Sequence, residues 1–302
     1  MLESDDEDKK KEKMKKKDNK RKHKERIHAM PASGSDSGHS DCGTAVNLQE
    51  MPADYTVCVT EHLLWCLKHM AKTDKEGYQR VVGVPATDAP VFVGTLCSGY
   101  GTIEVLVDKL NKVYREHFGR REPMTIRCRF MCESDGRKRS RLVAAHPHVD
   151  AVYTDVIDVA KGQALNVKSG CFETIPKVDI LVCGYSCKML SALTQLRKSF
   201  IDTSQPTGAT FEATMQVIEN TMPKLVMLEN VKQMMHKRKM DAVKGLGRPI
   251  DVQNARMRAM GFTTSHDLLN AMDFALPQSR PRCWSFYVLV GHGPFRDRRR
   301  GF

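Results

Sequence analysis

A thiol and a carboxylate at the ends of two apolar runs are the groups in this chain best suited to covalent chemistry. The run Val178-Asp179-Ile180-Leu181-Val182-Cys183 breaks into Gly184-Tyr185-Ser186-Cys187, so a buried strand ends and the loop beyond presents the Cys187 thiol. Further along, Lys224-Leu225-Val226-Met227-Leu228 runs into Glu229-Asn230-Val231. A nucleophile and an acid at two such strand ends suit a reaction in which the thiol adds to an electrophilic carbon while the acid manages a proton. Taken alone, Cys187 is better explained as a buried structural thiol, the usual fate of a lone cysteine. Glu229, together with Arg280 and Arg282 in Gln278-Ser279-Arg280-Pro281-Arg282, shifts the reading toward catalysis. The two arginines by themselves would be a surface pair near a strand edge.

A second constellation lies upstream. Val91-Phe92-Val93-Gly94-Thr95 leads into Leu96, Cys97, Ser98, Gly99, Tyr100, Gly101 and Thr102, which form a strand end, a glycine turn and a helix start. Gly99 and Gly101 let the backbone approach a ligand closely, and the helix amino terminus offers free N–H groups. A bare Gly-x-Gly is better explained by a tight turn with no ligand, but two acids change this. Glu133 ends the next strand, where a carboxylate can accept both hydroxyls of a ribose. Asp155 follows the third strand, where it would accept from an adenine amino group. Separately, each would be a helix cap or a surface acid. With the glycine loop, and with Gly184 at the head of the nucleophile loop, they favour an adenosine-bearing cofactor. The loop lacks the longer Gly-x-Gly-x-x-Gly spacing, which argues against a dinucleotide.

These groups must meet on one edge of a sheet. Apolar runs predict strands over Val91–Leu96, Ile126–Cys132, Ala151–Thr154, Asp179–Cys183, Leu225–Leu228 and Trp284–Val290. Between them, helices are predicted over Gly101–Phe118, Gly136–Ala145, Phe211–Asn220 and Pro249–Met260, with an amphipathic helix at Tyr55–Met70 before the first strand. The alternation implies an α/β fold, a mostly parallel sheet with helices on both faces. Ligands in such folds sit beyond the carboxyl ends of the strands, where every candidate above falls.

With 302 residues and 41% apolar content, the chain can bury one sizeable core. The expected organisation is a disordered charged tail over 1–50, a short helix and linker over 51–90, the main domain over 91–292 and a charged stub over 293–302. A net charge of +12 favours an acidic partner, with nucleic acid the usual one. The clusters Lys15-Lys16-Lys17 and Lys20-Arg21-Lys22-His23-Lys24 fit a nuclear import signal or a phosphate-binding arm, and equally a solubilising tail. The expected location is therefore the nucleus, with the cytoplasm as the alternative. No apolar run approaches the roughly 18–20 residues needed to cross a bilayer, so no membrane association is expected. The charged amino terminus carries no secretory pattern. Ten cysteines without a Cys-x-x-Cys pair indicate a reduced compartment and no zinc centre.

These segments resemble the cytosine-5 methyltransferase family. Thr95-Leu96-Cys97-Ser98-Gly99-Tyr100-Gly101 looks like its cofactor loop, and Gly184-Tyr185-Ser186-Cys187 like its Gly-x-Pro-Cys nucleophile motif. Glu229-Asn230-Val231 looks like its Glu-Asn-Val motif, and Gln278 to Arg282 like its Gln-x-Arg-x-Arg motif. Order and spacing agree from Val91 to Val290. The segments Phe200-Ile201-Asp202-Thr203 and Thr207-Gly208-Ala209-Thr210-Phe211 are similar to the mobile piece that follows the nucleophile. The resemblance implies a Rossmann-like, S-adenosylmethionine-dependent methyltransferase fold that methylates carbon 5 of cytosine in DNA. It implies that Cys187 adds to carbon 6, that Glu229 holds or protonates ring nitrogen 3, and that Arg282 with Arg280 grips the base. S-Adenosylmethionine would be held by the loop Leu96 to Thr102 with Glu133, Asp155 and Gly184. The target base would have to leave its duplex stack.

The sequence departs from the family in four places. Ser186 stands where the nucleophile motif has proline, which removes a constraint on the turn. Thr95 stands where an acid is usual, and Thr102 where a second glycine is common. Only Gly291 to Phe302 follow the last strand, so the family's target-recognition region is expected to be absent and a protein partner is expected to supply it. Two alternatives stay open: the same chemistry on RNA of the transfer-RNA type, and a catalytically silent, truncated homologue that binds nucleic acid.

Overall fold

The structure is a computed structural model that describes residues 59–76, 89–118, 125–190, 199–237, 241, 245–274 and 278–291. The chain divides into a unit Met1–Gln49 and a unit Glu50–Phe302. The first unit and the stub over 293–302 lie outside the described residues.

Among the described residues nine strands form one sheet in the order β5-β4-β3-β2-β1-β6-β7-β9-β8. Its centre is five parallel strands: β1 (Val91–Leu96), β2 (Ile126–Cys132), β3 (Ala151–Tyr153), β6 (Ile180–Cys183) and β7 (Leu225–Val231). At one side the antiparallel hairpin β4 (Gln163–Asn166) and β5 (Cys171–Thr174) extends the sheet from β3. At the other side β9 (Pro281–Leu289) inserts antiparallel between β7 and β8 (Phe262–Asn270). The central strands β3 and β6 are continuous apolar runs, as strands covered on both faces tend to be, while β2 carries Arg127 and Arg129 and β7 carries Glu229 and Asn230.

Helices cover both faces, as expected. On one face, α4 (Val156–Ala160), α5 (Pro206–Thr221) and α6 (Pro249–Ala259) bury Val159, Phe211, Met215, Ile218, Ile250 and Met257 against Leu96, Leu181 and Leu228. On the other, α2 (Thr102–Phe118) brings Val107 and Tyr114 to Val93 and Val182, and α3 (Gly136–Ala145) brings Leu142 to Met131 and Val152. Each fully buried large apolar side chain contributes roughly 1.5–3 kcal/mol. Helix α1 (Val59–Thr73) packs on α2 with Leu67 buried.

Local chemistry starts these helices. Asp135 accepts from the N–H groups of Arg137 and Lys138, both at 3.0 Å, and so caps α3. Pro206 and Pro249 open α5 and α6 at the first turn, where a missing N–H costs nothing.

The structure corrects the predicted edges. The last strand begins at Pro281 rather than Trp284, and β4, β5 and β8 were not anticipated. Their residues are mostly polar: Thr263, Thr264, Ser265, His266 and Asp267 fill the first half of β8, an edge strand exposed at alternate positions. The apolar alternation that marks a half-buried strand is missing there, and pairing with β9 supplies the order instead.

Candidate active site

The nucleophile loop is held from below and from one side. After the buried Cys183 the chain turns through exposed Gly184, and Tyr185 dips back into the core at 2% exposure. The Tyr185 hydroxyl donates to Oε1 of Gln253 at 2.7 Å, and its carbonyl accepts from Nδ2 of Asn230 at 3.1 Å. Two hydroxyls at the start of α5 take the loop's N–H groups. Ser186 donates to Oγ1 of Thr210 at 3.2 Å, and Met189 donates to Oγ1 of Thr207 at 2.9 Å. The N–H of Leu190 closes on the carbonyl of Cys187 at 2.9 Å. Cys187 is thus half-buried on a loop pinned on both of its sides.

Ser186 gains a meaning from this arrangement. A proline there would fix φ but would have no N–H to give. Serine gives up the ring constraint and uses its N–H in the bond to Thr210, worth about 0.5–1.5 kcal/mol net.

Glu229 and Arg282 reach the same edge from opposite chain directions. Because β9 runs antiparallel to β7, its first residues arrive where the parallel strands end, with Arg282 opposite Val231 and Trp284 opposite Glu229. Nε of Arg282 lies 3.0 Å from Oε1 of Glu229. Oε2 of the same carboxylate lies 3.3 Å from the position a Cβ on Gly184 would take. The acid therefore faces the first residue of the nucleophile loop. Burial raises the pKa of Glu229, and the charges of Arg282 and Arg280 offset part of that rise. Arg280 itself is exposed at the rim, its N–H bonded to Oδ1 of Asn270 at 2.7 Å. The structure pairs Glu229 with Arg282 at the head of the loop that carries Cys187, and leaves Arg280 exposed at the rim within reach of the Glu229 charge.

The glycine loop follows β1 along the same edge. Ser98 ties it to β2: its N–H donates to the carbonyl of Cys132 at 2.9 Å, and its Oγ accepts from the N–H of Cys132 at 3.1 Å. The carboxylate of Glu133, 7% exposed, accepts from Gly99 N–H at 2.8 Å and from Asp135 N–H at 2.9 Å. Gly99 (φ 61°) and Gly101 (φ 83°) occupy the left-handed region. A Cβ on Gly99 would meet nothing within 4 Å, whereas one on Gly101 would lie 2.6 Å from Nε2 of His146 and 2.9 Å from Cδ2 of Leu142. The loop is open above Gly99 and closed beneath Gly101. Tyr100 is 63% exposed, its ring 5.8 Å from the Lys138 ammonium. An open glycine backbone, a buried acid beneath it, an exposed aromatic ring and the start of α2 at Thr102 fit a nucleoside-bearing cofactor.

Other predicted cofactor residues divide. Asp155 is the N-cap of α4, with Oδ1 accepting from Ile157 N–H at 2.9 Å, so a ligand would share its carboxylate with the helix. Leu96 is 1% exposed, its side chain in the main core, so only its backbone is available to a ligand at the strand end. Cys97 is half-buried at φ 53°, and Gly184 is exposed at the head of the nucleophile loop. Thr95, placed where an acid is usual, donates to the buried carboxylate of Glu104 at 2.5 Å.

Several positioning residues escaped the sequence reading. Asn230 was quoted in a motif without a role, and its adjacency to Glu229 was the signal. Thr207 and Thr210 were quoted without a role in the segment similar to the piece that follows the nucleophile, and Gln253 gave no signal, since an ordinary helix residue acquires a role only through a loop or side chain distant in sequence.

Residues 145–292 match the family described as C-5 cytosine-specific DNA methylase. The type II methyltransferase M.NlaIV of Neisseria lactamica is 31% identical over 127 residues, 42% of this chain and 28% of that protein. M.HhaI of Haemophilus parahaemolyticus is 30% identical over 112 residues, 37% of this chain and 31% of that protein. The chain thus spans less than a third of the length of these relatives. A crystal structure of the S. pombe Dnmt2 methyltransferase superposes with a TM-score of 0.43 at 14% identity, covering 68% of this chain and 51% of the other.

Proposed function

Residues 145–292 of this chain belong to the C-5 cytosine-specific DNA methylase family, and from that premise we propose that the protein methylates carbon 5 of cytosine in DNA. The observation that carries the proposal is the contact between the two halves of the site. Glu229, salt-bridged to Arg282, faces Gly184 at the head of the loop that presents Cys187.

In this reading the Cys187 sulfur bonds carbon 6 of a flipped-out cytosine, and the ring's electron density moves to carbon 5. Glu229, its pKa raised by burial, holds a proton at ring nitrogen 3 and so draws charge from the ring as sulfur attacks. Arg282 orients Glu229 and faces the base from the rim. The family's methyl donor, S-adenosylmethionine, supplies the electrophilic methyl group. Glu133 and the backbone of Ser98 to Gly101 would hold its adenosine part, and Tyr100 would cover it. When the carbon 5 proton leaves, the carbon–sulfur bond breaks and the Cys187 thiolate is restored.

The test is covalent trapping. Duplex DNA and, separately, RNA carrying 5-fluorocytosine would be incubated with the protein and S-adenosylmethionine. Fluorine blocks the last elimination, so an active enzyme stays attached. An adduct with DNA that disappears in Cys187→Ala is the expected result. An adduct with RNA alone moves the substrate to RNA, and none with either refutes catalysis by this chain.

A further inference from the structure

We propose that the structure contains a divalent transition-metal site formed by Asp108, His146 and His148, beside Gly101 of the glycine loop. This proposal does not rest on the methyl-transfer reading. One ligand atom from each of the three side chains lies within 4.8 Å of the others, and this is the cluster of that kind among the described residues. Nε2 of His148 is 3.7 Å from Oδ1 of Asp108, and the two imidazole rings are 6.0 Å apart and nearly perpendicular. Two imidazoles and one carboxylate suit a borderline first-row cation such as Zn(II) and suit Ca(II) or Mg(II) poorly. Ligand atoms around zinc are closer together than these, so small rotamer changes at the two exposed side chains complete the site.

A second observation points to a ligand. His146 is 4% exposed, yet its Nδ1 has no hydrogen-bond partner. A buried imidazole nitrogen left unpaired is costly, and native structures rarely tolerate one. The ring packs against Gly101, with Leu142 at the same spot. A cation held among the three side chains would add to the His148–Asp108 contact a partner for the buried imidazole of His146.

The turn that presents the two histidines is built in advance. His146 caps α3 through its N–H to the carbonyl of Leu142, and Val149 N–H returns to the carbonyl of His146 at 3.2 Å. The Lys168 ammonium binds the carbonyls of Pro147, at 2.8 Å, and Val149 from the opposite side. Asp108 comes from α2, whose first turn follows the glycine loop. A metal here staples α2 to the end of α3 and braces the backbone at Gly101 from below. The site's three protein ligands leave at least one position for water.

The experiment uses the full chain, stripped with a chelator, and titrates it with Zn(II) against a chromogenic competitor and with Co(II) by visible spectroscopy. His148→Ala and Asp108→Asn are the variants, because both side chains are about half exposed and their loss opens no cavity. Losing even outer partners of a metal ligand costs about 10- to 100-fold in affinity, so each variant should weaken one equivalent of Zn(II) by at least about tenfold. The Co(II) spectrum should lack the thiolate charge-transfer band that cysteine ligation would add. Zn(II) should raise the melting temperature of the parent and not of the variants. Equal affinity in parent and variants, or a thiolate-dominated Co(II) spectrum, overturns the proposal, and unchanged melting of the metal-free variants confirms that they fold.

Discussion

Arg282 and Glu229 meet across β7 and β9 with 3.0 Å between guanidinium and carboxylate, each side chain about a quarter exposed at 25% and 28%. Two opposing influences act on this acid, and burial prevails: the pKa of Glu229 is raised above its ordinary 4.5 despite the arginine charges. A raised acid stabilises the fold fully below its unfolded pKa, and that stability is lost as pH rises through the folded value. Thermal melts of the parent and Glu229→Gln from about pH 4 to pH 7 check this. The parent should lose stability relative to the variant as pH increases. The opposite slope would mean that the ion pair outweighs burial. In a methyl-transfer assay Glu229→Gln should lower turnover by roughly 10²–10⁴.

Two glycines two residues apart should respond differently to the same methyl group. Gly101→Ala places a Cβ against His146 and Leu142 at a φ of 83°, so a loss of about 2 kcal/mol or more is expected. Gly99→Ala meets open space and carries only the left-handed strain, about 1 kcal/mol. Its methyl group would instead intrude where the cofactor is proposed to lie. Calorimetric titration with S-adenosylmethionine should show weakened binding in Gly99→Ala at near-parental melting temperature. Equal destabilisation of both variants would count against the geometry.

The bond from Ser186 N–H to Thr210 is expected to hold the thiol in place. Thr210→Val should cost about 1 kcal/mol in denaturant unfolding and speed alkylation of Cys187 by iodoacetamide, read by mass spectrometry. Ser186→Pro replaces one constraint with another and should leave the Cys187 rate close to that of the parent. Faster alkylation in the proline variant than in the valine variant would contradict this account.

Tyr185 anchors the loop to a buried polar network. Gln253, which accepts from its hydroxyl, donates to Tyr287 at 2.6 Å and to Ser285 at 3.2 Å, and Tyr287 donates to Asn254 at 2.8 Å. Tyr185→Phe leaves the Gln253 carbonyl oxygen without that donor, which should cost about 1–3 kcal/mol. Chemical denaturation measures it, and a change under about 0.5 kcal/mol would show that the network is not felt by the loop.

Much of the fold was legible because its central strands carry local signals. β1 and β2 were bounded as predicted, as was α3, since apolar runs end at glycine turns and an Asp caps the helix. The short or polar strands β4, β5 and β8 were not, because β5 and β8 are edge strands, which need few apolar residues, and the four-residue β4 takes its order from pairing with β5 and β3.

By itself the sequence determined which residues sit at or near the ends of strands: the Cys187 loop, the glycine turn, Glu133, and Glu229, although β7 continues past Glu229 to Val231 through its pairing with β9. Alternation, glycine and apolar runs act within a few residues, so their positions are written locally. Tertiary structure alone decided which of these residues touch. The antiparallel entry of β9 carries Arg282 to Glu229, the first turns of α5 meet Ser186 and Met189, and the core brings Gln253 under Tyr185. Those contacts join segments far apart in the chain, and only the packing of the whole sheet and its helices brings them within hydrogen-bonding distance.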